Sequence, residues 1–323
     1  MTKVYLTIDT EYEFGFAVRN GVGAAARAQN FARAIEGSTP HGSAGLSYQL
    51  DCFDRNGLKA VFFVDPMPAM IWGTGAIAPI VEPILRRGHD VQLHLHTEWL
   101  ALAGKASPIG PRTGQNIRDF TLDEQTVLLD YAREALMAAG APRPVAFRAG
   151  NYGANDDTLR ALARLGFTHD SNHAPGIARS ACSIDLGRDQ LRPLRRYGVI
   201  EVPIGCITGA RGLRHAQLTA LSARELREAT IHARDYGIDS FTIVSHSFEL
   251  LSRDRTVVNR VVQRRFERFC TVLATMPGVR TATYAGDPPQ ARSASVRPLL
   301  PRNRLRSGAR VIEQAFANVL YGG

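Results

Sequence analysis

The sequence is poor in cysteine, with four residues in 323 and no pair at CxxC spacing. This scatter argues against a zinc knot or a disulfide framework and favours isolated buried thiols. No segment approaches the roughly 18 uninterrupted apolar residues that a membrane helix needs. The N-terminus also lacks the basic region, apolar run and small-residue cleavage site of a secretory signal. We therefore expect a soluble, cytoplasmic protein.

Acidic residues are the scarcer charge: 30 Asp and Glu face 39 Lys and Arg, a formal net charge of +9. Basic composition alone is weak evidence for nucleic acid, and we expect no nucleic-acid partner. The basic tail from Asp287 onward holds six arginines against Asp287 and Glu313, so 6 − 2 = +4; these are Arg292, Arg297, Arg302, Arg304, Arg306 and Arg310. Such a tail suits an anionic membrane surface or a phosphate-bearing substrate, or stays solvated.

Short apolar runs alternate with helical patterns along most of the chain, which predicts an α/β fold. The predicted strands are 3–9, 59–65, 89–96, 145–150, 168–172, 199–204, 241–247 and 279–285. The predicted helices are 43–57, 76–88, 121–140, 155–166, 222–237, 255–276 and 310–321, with a capping box from Ser222 to Glu225. Seven to eight parallel strands with helical crossovers indicate a distorted (β/α) barrel.

We expect the barrel domain to span residues 1–287, followed by a basic linker and C-terminal helix at 288–323. Two insertions interrupt the alternation, at residues 15–45 and 101–118. Insertions after barrel strands commonly shape the mouth of an active site, so both are expected near it. No feature of the sequence indicates an oligomeric state.

Acids and imidazoles stand where the predicted strands end, the end at which α/β barrels carry their chemistry. Asp9 and Glu11 are two residues apart, as are His94 and His96, so each pair shares one face of its strand. Two carboxylates so close repel unless a proton or cation lies between them. Imidazole and carboxylate together suit zinc or a similar divalent ion.

Each pair taken alone also fits an ordinary strand with solvent-exposed polar side chains. His246, at the end of the seventh predicted strand, could be a core histidine, and Arg148 an ordinary ion-pair partner. Their joint placement at one end of one barrel favours a metal site.

In this order the motifs resemble those of the polysaccharide deacetylases, the NodB-homology group of carbohydrate esterase family four, over roughly residues 3–286. The segments that carry the resemblance are Thr7-Ile8-Asp9 with a second acid at Glu11, GHDVQLH at 88–94, RAGNY at 148–152, VIEVP at 199–203 and FTIVSH at 241–246. One position departs from the family pattern. The second ligand histidine is usually four residues after the first, where this chain has Glu98.

The resemblance implies a divalent metal, above all Zn²⁺, held by Glu11, His94 and a third ligand. His96 is favoured for that place because it shares a face with His94, and Glu98 stays the alternative. Asp9 is likewise an alternative to Glu11.

The resemblance also implies roles around the metal. Asp9 is the expected general base and His246 the general acid, with Arg148, paired to Glu201, aiming Asp9. Tyr152, Asn151 and Trp99 are expected at the substrate and the oxyanion.

The function so implied is a metal-dependent hydrolase that removes an N-acetyl group, or less readily an O-acetyl group, from a sugar or glycan. The absence of a secretory signal favours a precursor in surface-polysaccharide biosynthesis. Two alternatives stay open: hydrolysis of a C–N bond in a cyclic amide such as allantoin, and a non-catalytic glycan-binding relative.

Overall fold

Nine strands form one curled sheet in the computed structural model, which describes residues 1–210, 212–291 and 299–322. In chain order, all strands of the described residues are β1 (Thr2–Thr10), β2 (Ser38–Thr39), β3 (Gly42–Ser43), β4 (Val61–Val64), β5 (Asp90–Leu95), β6 (Ala146–Ala149), β7 (His169–Asp170), β8 (Leu194–Arg196), β9 (Val199–Glu201), β10 (Cys206–Gly209), β11 (Gly212–His215), β12 (Ser240–His246) and β13 (Val279–Thr281). Outside the nine-stranded sheet, β2 pairs with β3 and β10 with β11 in two separate antiparallel pairs. The order in the sheet is β12-β1-β4-β5-β6-β7-β9-β8. β13 pairs with the first residues of β1, from Thr2 to Val4. Only β8 runs antiparallel among these pairings.

Helices connect and cover the strands. They are α1 (Phe14–Asn20), α2 (Ala24–Asn30), α3 (Leu46–Arg55), α4 (Ala69–Trp72), α5 (Ala78–Arg86), α6 (Leu100–Ala103), α7 (Leu122–Ala138), α8 (Asp156–Arg164), α9 (Ala223–Asp235), α10 (Arg260–Ala274) and α11 (Arg304–Tyr321). No helix in the described ranges is both long enough and apolar enough to cross a bilayer.

The central strands are buried on both faces, as parallel strands covered by helices require. All four residues of β4 and all six of β5 are buried. The edge of β12 beyond the sheet is covered by loop backbone: Gly205 N donates to Thr242 O, and Leu218 N donates to Val244 O. The sheet therefore curls into a half-barrel, closed on this side by hydrogen bonds outside the strand ladder.

Every predicted strand is present, and the expected distorted (β/α) barrel is confirmed. Two helix starts differ most from the prediction. The helix predicted from residue 255 begins at Arg260, because the Asn259 side chain caps it by accepting from Val262 N at 3.2 Å. The last helix begins earlier than predicted, at Arg304, because Asn303 caps it in the same way.

The basic tail differs from the expectation of solvated or lipid-facing arginines at two positions. Arg306 is 3 % exposed and pairs with Glu228, while Arg310 Nε lies 3.6 Å from Glu225 Oε2, so both point toward α9. Arg302 and Arg304 are exposed. Arg292 and Arg297 fall outside the described residues.

The predicted capping box at the start of α9 is formed, since Ser222 Oγ accepts from Glu225 N at 3.2 Å and Glu225 Oε2 accepts from Ser222 N at 3.0 Å. We expect Ser222→Ala to lower the free energy of unfolding by about 1 kcal/mol, because one orphan helix N–H loses its acceptor. Urea denaturation measures this change. Ser222→Thr, which keeps the hydroxyl, is the matched control, and equal stability of the two variants would contradict the cap.

Candidate metal and catalytic site

The candidate site lies at the carboxyl ends of neighbouring parallel strands. Strand register places Asp9 of β1 beside His246 of β12, and His94 of β5 beside Arg148 of β6. Glu11 and His96 follow directly on β1 and β5. The fold thus brings the predicted carboxylates and imidazoles to one edge of the sheet.

Glu11, His94 and His96 form a cluster that could hold a metal ion. Glu11 Oε2 lies 2.9 Å from His94 Nε2 and 2.7 Å from His96 Nε2. One ligand atom from each residue lies within 4.8 Å of the others. The two imidazole rings meet nearly edge to face, with centroids 4.9 Å apart.

The outer ring nitrogens determine how this cluster presents its donors. His94 Nδ1 lies 2.7 Å from the carbonyl oxygen of Arg148, which can only accept, so Nδ1 carries a proton. The other nitrogen of His94 faces Glu11 and needs a proton or a cation between them. Since one carboxylate and two such imidazoles are a donor set suited to divalent zinc, the residues fit a metal ion.

Glu98 lies behind His96 rather than in the cluster. His96 Nδ1 lies 2.9 Å from Glu98 Oε2, so this carboxylate orients the ring from the far side. Burial disfavours the charged imidazole, but Glu11 and then Glu98 hold the pKa of His96 well above its usual value. Burial likewise opposes ionisation of Glu11, and the two histidines outweigh it, keeping its pKa well below the usual range.

Asp9 is held by the buried side chain of Arg148. Arg148 Nη1 donates to Asp9 Oδ1 at 2.6 Å and to Thr7 Oγ1 at 2.9 Å. Nε and Nη2 of Arg148 donate to the carbonyl and hydroxyl of Ser171, and the guanidinium lies over the Phe63 ring, 4.3 Å from its centroid. Asp9 therefore has one oxygen fixed on Arg148 and is not part of the candidate metal-binding group of Glu11, His94 and His96.

The predicted pairing of Arg148 with Glu201 is wrong. Glu201 Oε1 accepts from the backbone N–H groups of Asn172 and His173, at 3.2 and 2.9 Å. Its strand neighbour is Asp170, whose pKa is raised well above the usual value by burial and by Glu201. Glu201 thus orders the loop after β7, and its side chain does not contact Asp9 or Arg148.

His246 lies on the other side of Asp9, with its Nε2 4.0 Å from Asp9 Oδ2. Its Nδ1 lies 3.9 Å from Glu249 Oε1, and its ring stacks on Phe248. Burial lowers the pKa of His246, but Glu249, Asp9 and Glu11 raise it to about 9 overall. The imidazole is therefore protonated at neutral pH and able to donate.

Sequence reasoning missed Glu249 and Asp65. Glu249 is 8 % exposed and accepts from Thr219 Oγ1 at 2.6 Å, which fixes it beside His246. The spacing of three residues between His246 and Glu249 is the sequence feature that could have identified it. Asp65 follows the end of β4, where a strand-end acid was visible, and burial raises its pKa to about 6. Its Oδ1 accepts from Met67 N at 3.0 Å and lies 3.5 Å from His96 N.

The turn after β6 brings Gly150 against the ring of His96, one of the three candidate metal ligands. A Cβ at Gly150 would lie 2.5 Å from His96 Nδ1, so only glycine lets the ring approach this backbone. Asn151 and Tyr152 both have φ of 57°, a strained conformation for residues with side chains. Asn151 is exposed, whereas Tyr152 is partly buried and burial raises its pKa.

Trp99 does not occupy the predicted substrate-facing position. Its side chain is fully buried, 5.6 Å from the Phe14 ring and 5.4 Å from the Trp72 ring between centroids. The indole is therefore part of a buried aromatic cluster, where it packs against other rings.

No protein-family model and no curated protein sequence matches the chain. Among solved structures, the fold is similar to that of a Mycobacterium smegmatis protein named as a polysaccharide deacetylase, with a TM-score of 0.55 and 18 % identity over 91 % of this chain and 94 % of that one. It is also similar to the allantoinase Puue, with a TM-score of 0.51 and 13 % identity over 90 % and 93 %. A third similar structure is that of a 4-alpha-glucanotransferase from Thermococcus litoralis. Its TM-score is 0.53, with 9 % identity over 88 % of this chain and 39 % of that one. At these identities the likeness concerns the fold alone.

We expect Glu249→Gln to lower the pKa of His246 from about 9, because the neutral amide no longer stabilises the imidazolium. NMR titration of the His246 ring protons measures it. Thr219→Val removes a donor to Glu249 without touching the imidazole, and should shift the pKa less. An unchanged pKa in Glu249→Gln would show that another group sets the charge.

Proposed function

We propose that the chain is a metal-dependent hydrolase that removes an acetyl group from the amine of an acetylated sugar. The observation that carries the proposal is the cluster of Glu11, His94 and His96 with Asp9 and His246 beside it. The fold shared with the Mycobacterium smegmatis protein, named as a polysaccharide deacetylase, supports the substrate class. We further propose a cytoplasmic sugar precursor of a surface polysaccharide as substrate.

Glu11, His94 and His96 would hold the divalent ion, for which Zn²⁺ is the best match to two imidazoles and one carboxylate. Such an ion, when bound, polarises a carbonyl and makes water more acidic. Glu98 would keep the His96 ring aimed at the ion, and the Arg148 carbonyl would do the same for His94.

Asp9 is the proposed general base. Its Oδ1 is committed to Arg148, while Oδ2 faces His246 at 4.0 Å and is free to take the proton of the attacking water. Arg148 keeps the carboxylate in one orientation, which is the positioning that proton transfer requires. A backbone N–H of the strained turn at Tyr152 is the proposed donor to the developing oxyanion.

His246 is the proposed general acid. An amine is a poor leaving group and must be protonated as the C–N bond breaks, whereas an alkoxide depends on this less. Because the pKa of His246 is about 9, the imidazolium is present across the neutral range. The charged histidine therefore favours an N-acetyl over an O-acetyl substrate.

Amide hydrolysis of a cyclic imide or ureide is the second candidate, favoured by the fold shared with the allantoinase. The same base and acid would serve that reaction. Allantoin beside N-acetylated sugars in one assay of the zinc-loaded protein separates the two, since only the sugar reaction releases acetate.

We expect His94→Ala to lose bound metal, because the best-oriented nitrogen donor is removed. Glu98→Gln should keep the ion with affinity reduced about 10–100-fold, the usual effect of losing an outer-shell partner. Equilibrium dialysis against Zn²⁺ followed by elemental analysis measures both. His41→Ala, at an exposed histidine, is the control, and full zinc occupancy in His94→Ala would overturn the ligand set.

We expect Asp9→Asn and His246→Ala each to reduce kcat for acetate release about 10²–10⁴-fold while bound metal stays close to that of the unsubstituted protein. Each change removes a proton carrier and leaves the three proposed ligands in place. Acetate release and metal content are measured on the same samples. Full activity in Asp9→Asn would rule out Asp9 as the base, and metal loss in either variant would reassign that residue as a ligand.

A further inference from the structure

The C-terminal helix α11 is attached to the barrel through its charged side. Arg306 pairs with Glu228 of α9, and Glu313 Oε1 accepts from Arg265 of α10 at 2.8 Å. Arg306 and Arg265 are only 3 and 4 % exposed. The helix thus turns its polar side chains inward, the reverse of an ordinary surface helix.

The opposite side of α11 is apolar and exposed. Leu305, Ile312, Phe316 and Val319 are 85, 72, 58 and 84 % exposed. Their spacings of seven, four and three residues place them on one helix face. Val311 and Leu320, each more than half exposed, widen this face. A continuous apolar stripe of this kind marks an interaction surface rather than a scatter of single residues.

Arginines of α10 line the groove beside α11. Arg260, Arg264 and Arg268 recur every four residues and are exposed. Arg264 and Arg268 border the groove between α10 and α11 together with Ala309, Arg310 and Glu313. Within the described ranges, neither Arg264 nor Arg268 has an acidic side chain within ion-pair distance. An apolar stripe therefore lies next to uncompensated positive charge.

We propose that α11 lies flat on the surface of an anionic lipid bilayer, with Leu305, Ile312 and Phe316 among the lipid chains and the α10 arginines on the lipid phosphates. Interfacial helices combine these two features. A second copy of the chain fits less well, since a two-fold contact between apolar faces would bring the same arginines toward each other. The proposal is independent of the hydrolase activity.

The test is flotation of the full-length protein with vesicles of phosphatidylcholine alone or with about 30 % phosphatidylglycerol. We expect binding to the anionic vesicles only, with loss near about 0.5 M salt. Ile312→Asn with Phe316→Asn should weaken binding about tenfold or more, as should Arg264→Gln with Arg268→Gln. Val127→Asn and Arg143→Gln change an exposed apolar and an exposed basic residue elsewhere and should bind normally.

A second readout guards against variants that misfold. In Phe316→Trp, anionic vesicles should shift the added tryptophan emission to the blue relative to the unsubstituted protein under the same conditions. Absence of vesicle binding, or equal binding by all variants, would overturn the proposal. A dimer in solution that Ile312→Asn with Phe316→Asn converts to monomer, without vesicle binding, would assign the face to a second copy instead.

Discussion

The buried guanidinium of Arg148 is the contact on which the site depends. Its side chain binds Asp9 on β1 and Ser171 after β7, and stacks on Phe63 of β4, so it joins strands on both sides of β6. Its own carbonyl fixes the ring of His94. One residue therefore aligns the proposed base and a proposed metal ligand. Removing one partner of such a buried ion pair commonly costs about 3–5 kcal/mol, so fold and chemistry are tied together here.

Most of the fold could be predicted because local patterns match the structure. β4 is a run of Val and Phe that lies between Lys59 and Asp65 in the sequence. Likewise, α9 begins at a recognisable capping box of Ser222 and Glu225. The insertion at 15–45 could not be resolved in this way. Its two short helices, α1 and α2, lack cap side chains and depend on contacts such as Asn30 with the backbone of Glu13.

The site was predictable where residues follow strand ends, as for Glu11, His94 and His96. The site was not predictable where the curvature of the sheet determines which side chains come into contact. Arg148 and Glu201 belong to different strands at one end of the barrel, yet Arg148 turns toward β1 and Glu201 toward the backbone after β7. Burial also decides what sequence leaves open, since Trp99 is fully buried and α11 exposes its apolar side.

The pairing of β1 with β12 has a consequence for how the protein is made. Thr7 hydrogen-bonds the carbonyl of Ile243, 236 residues later in the chain, and the same ladder sets Asp9 beside His246. A ribosome must therefore complete nearly the whole barrel before the first strand can meet its last neighbour. Until then the proposed base and the proposed acid belong to separate parts of the nascent chain. Contacts this distant form slowly, so the residues of β1 and β5 that form the candidate metal site can come together during synthesis well before the full site exists.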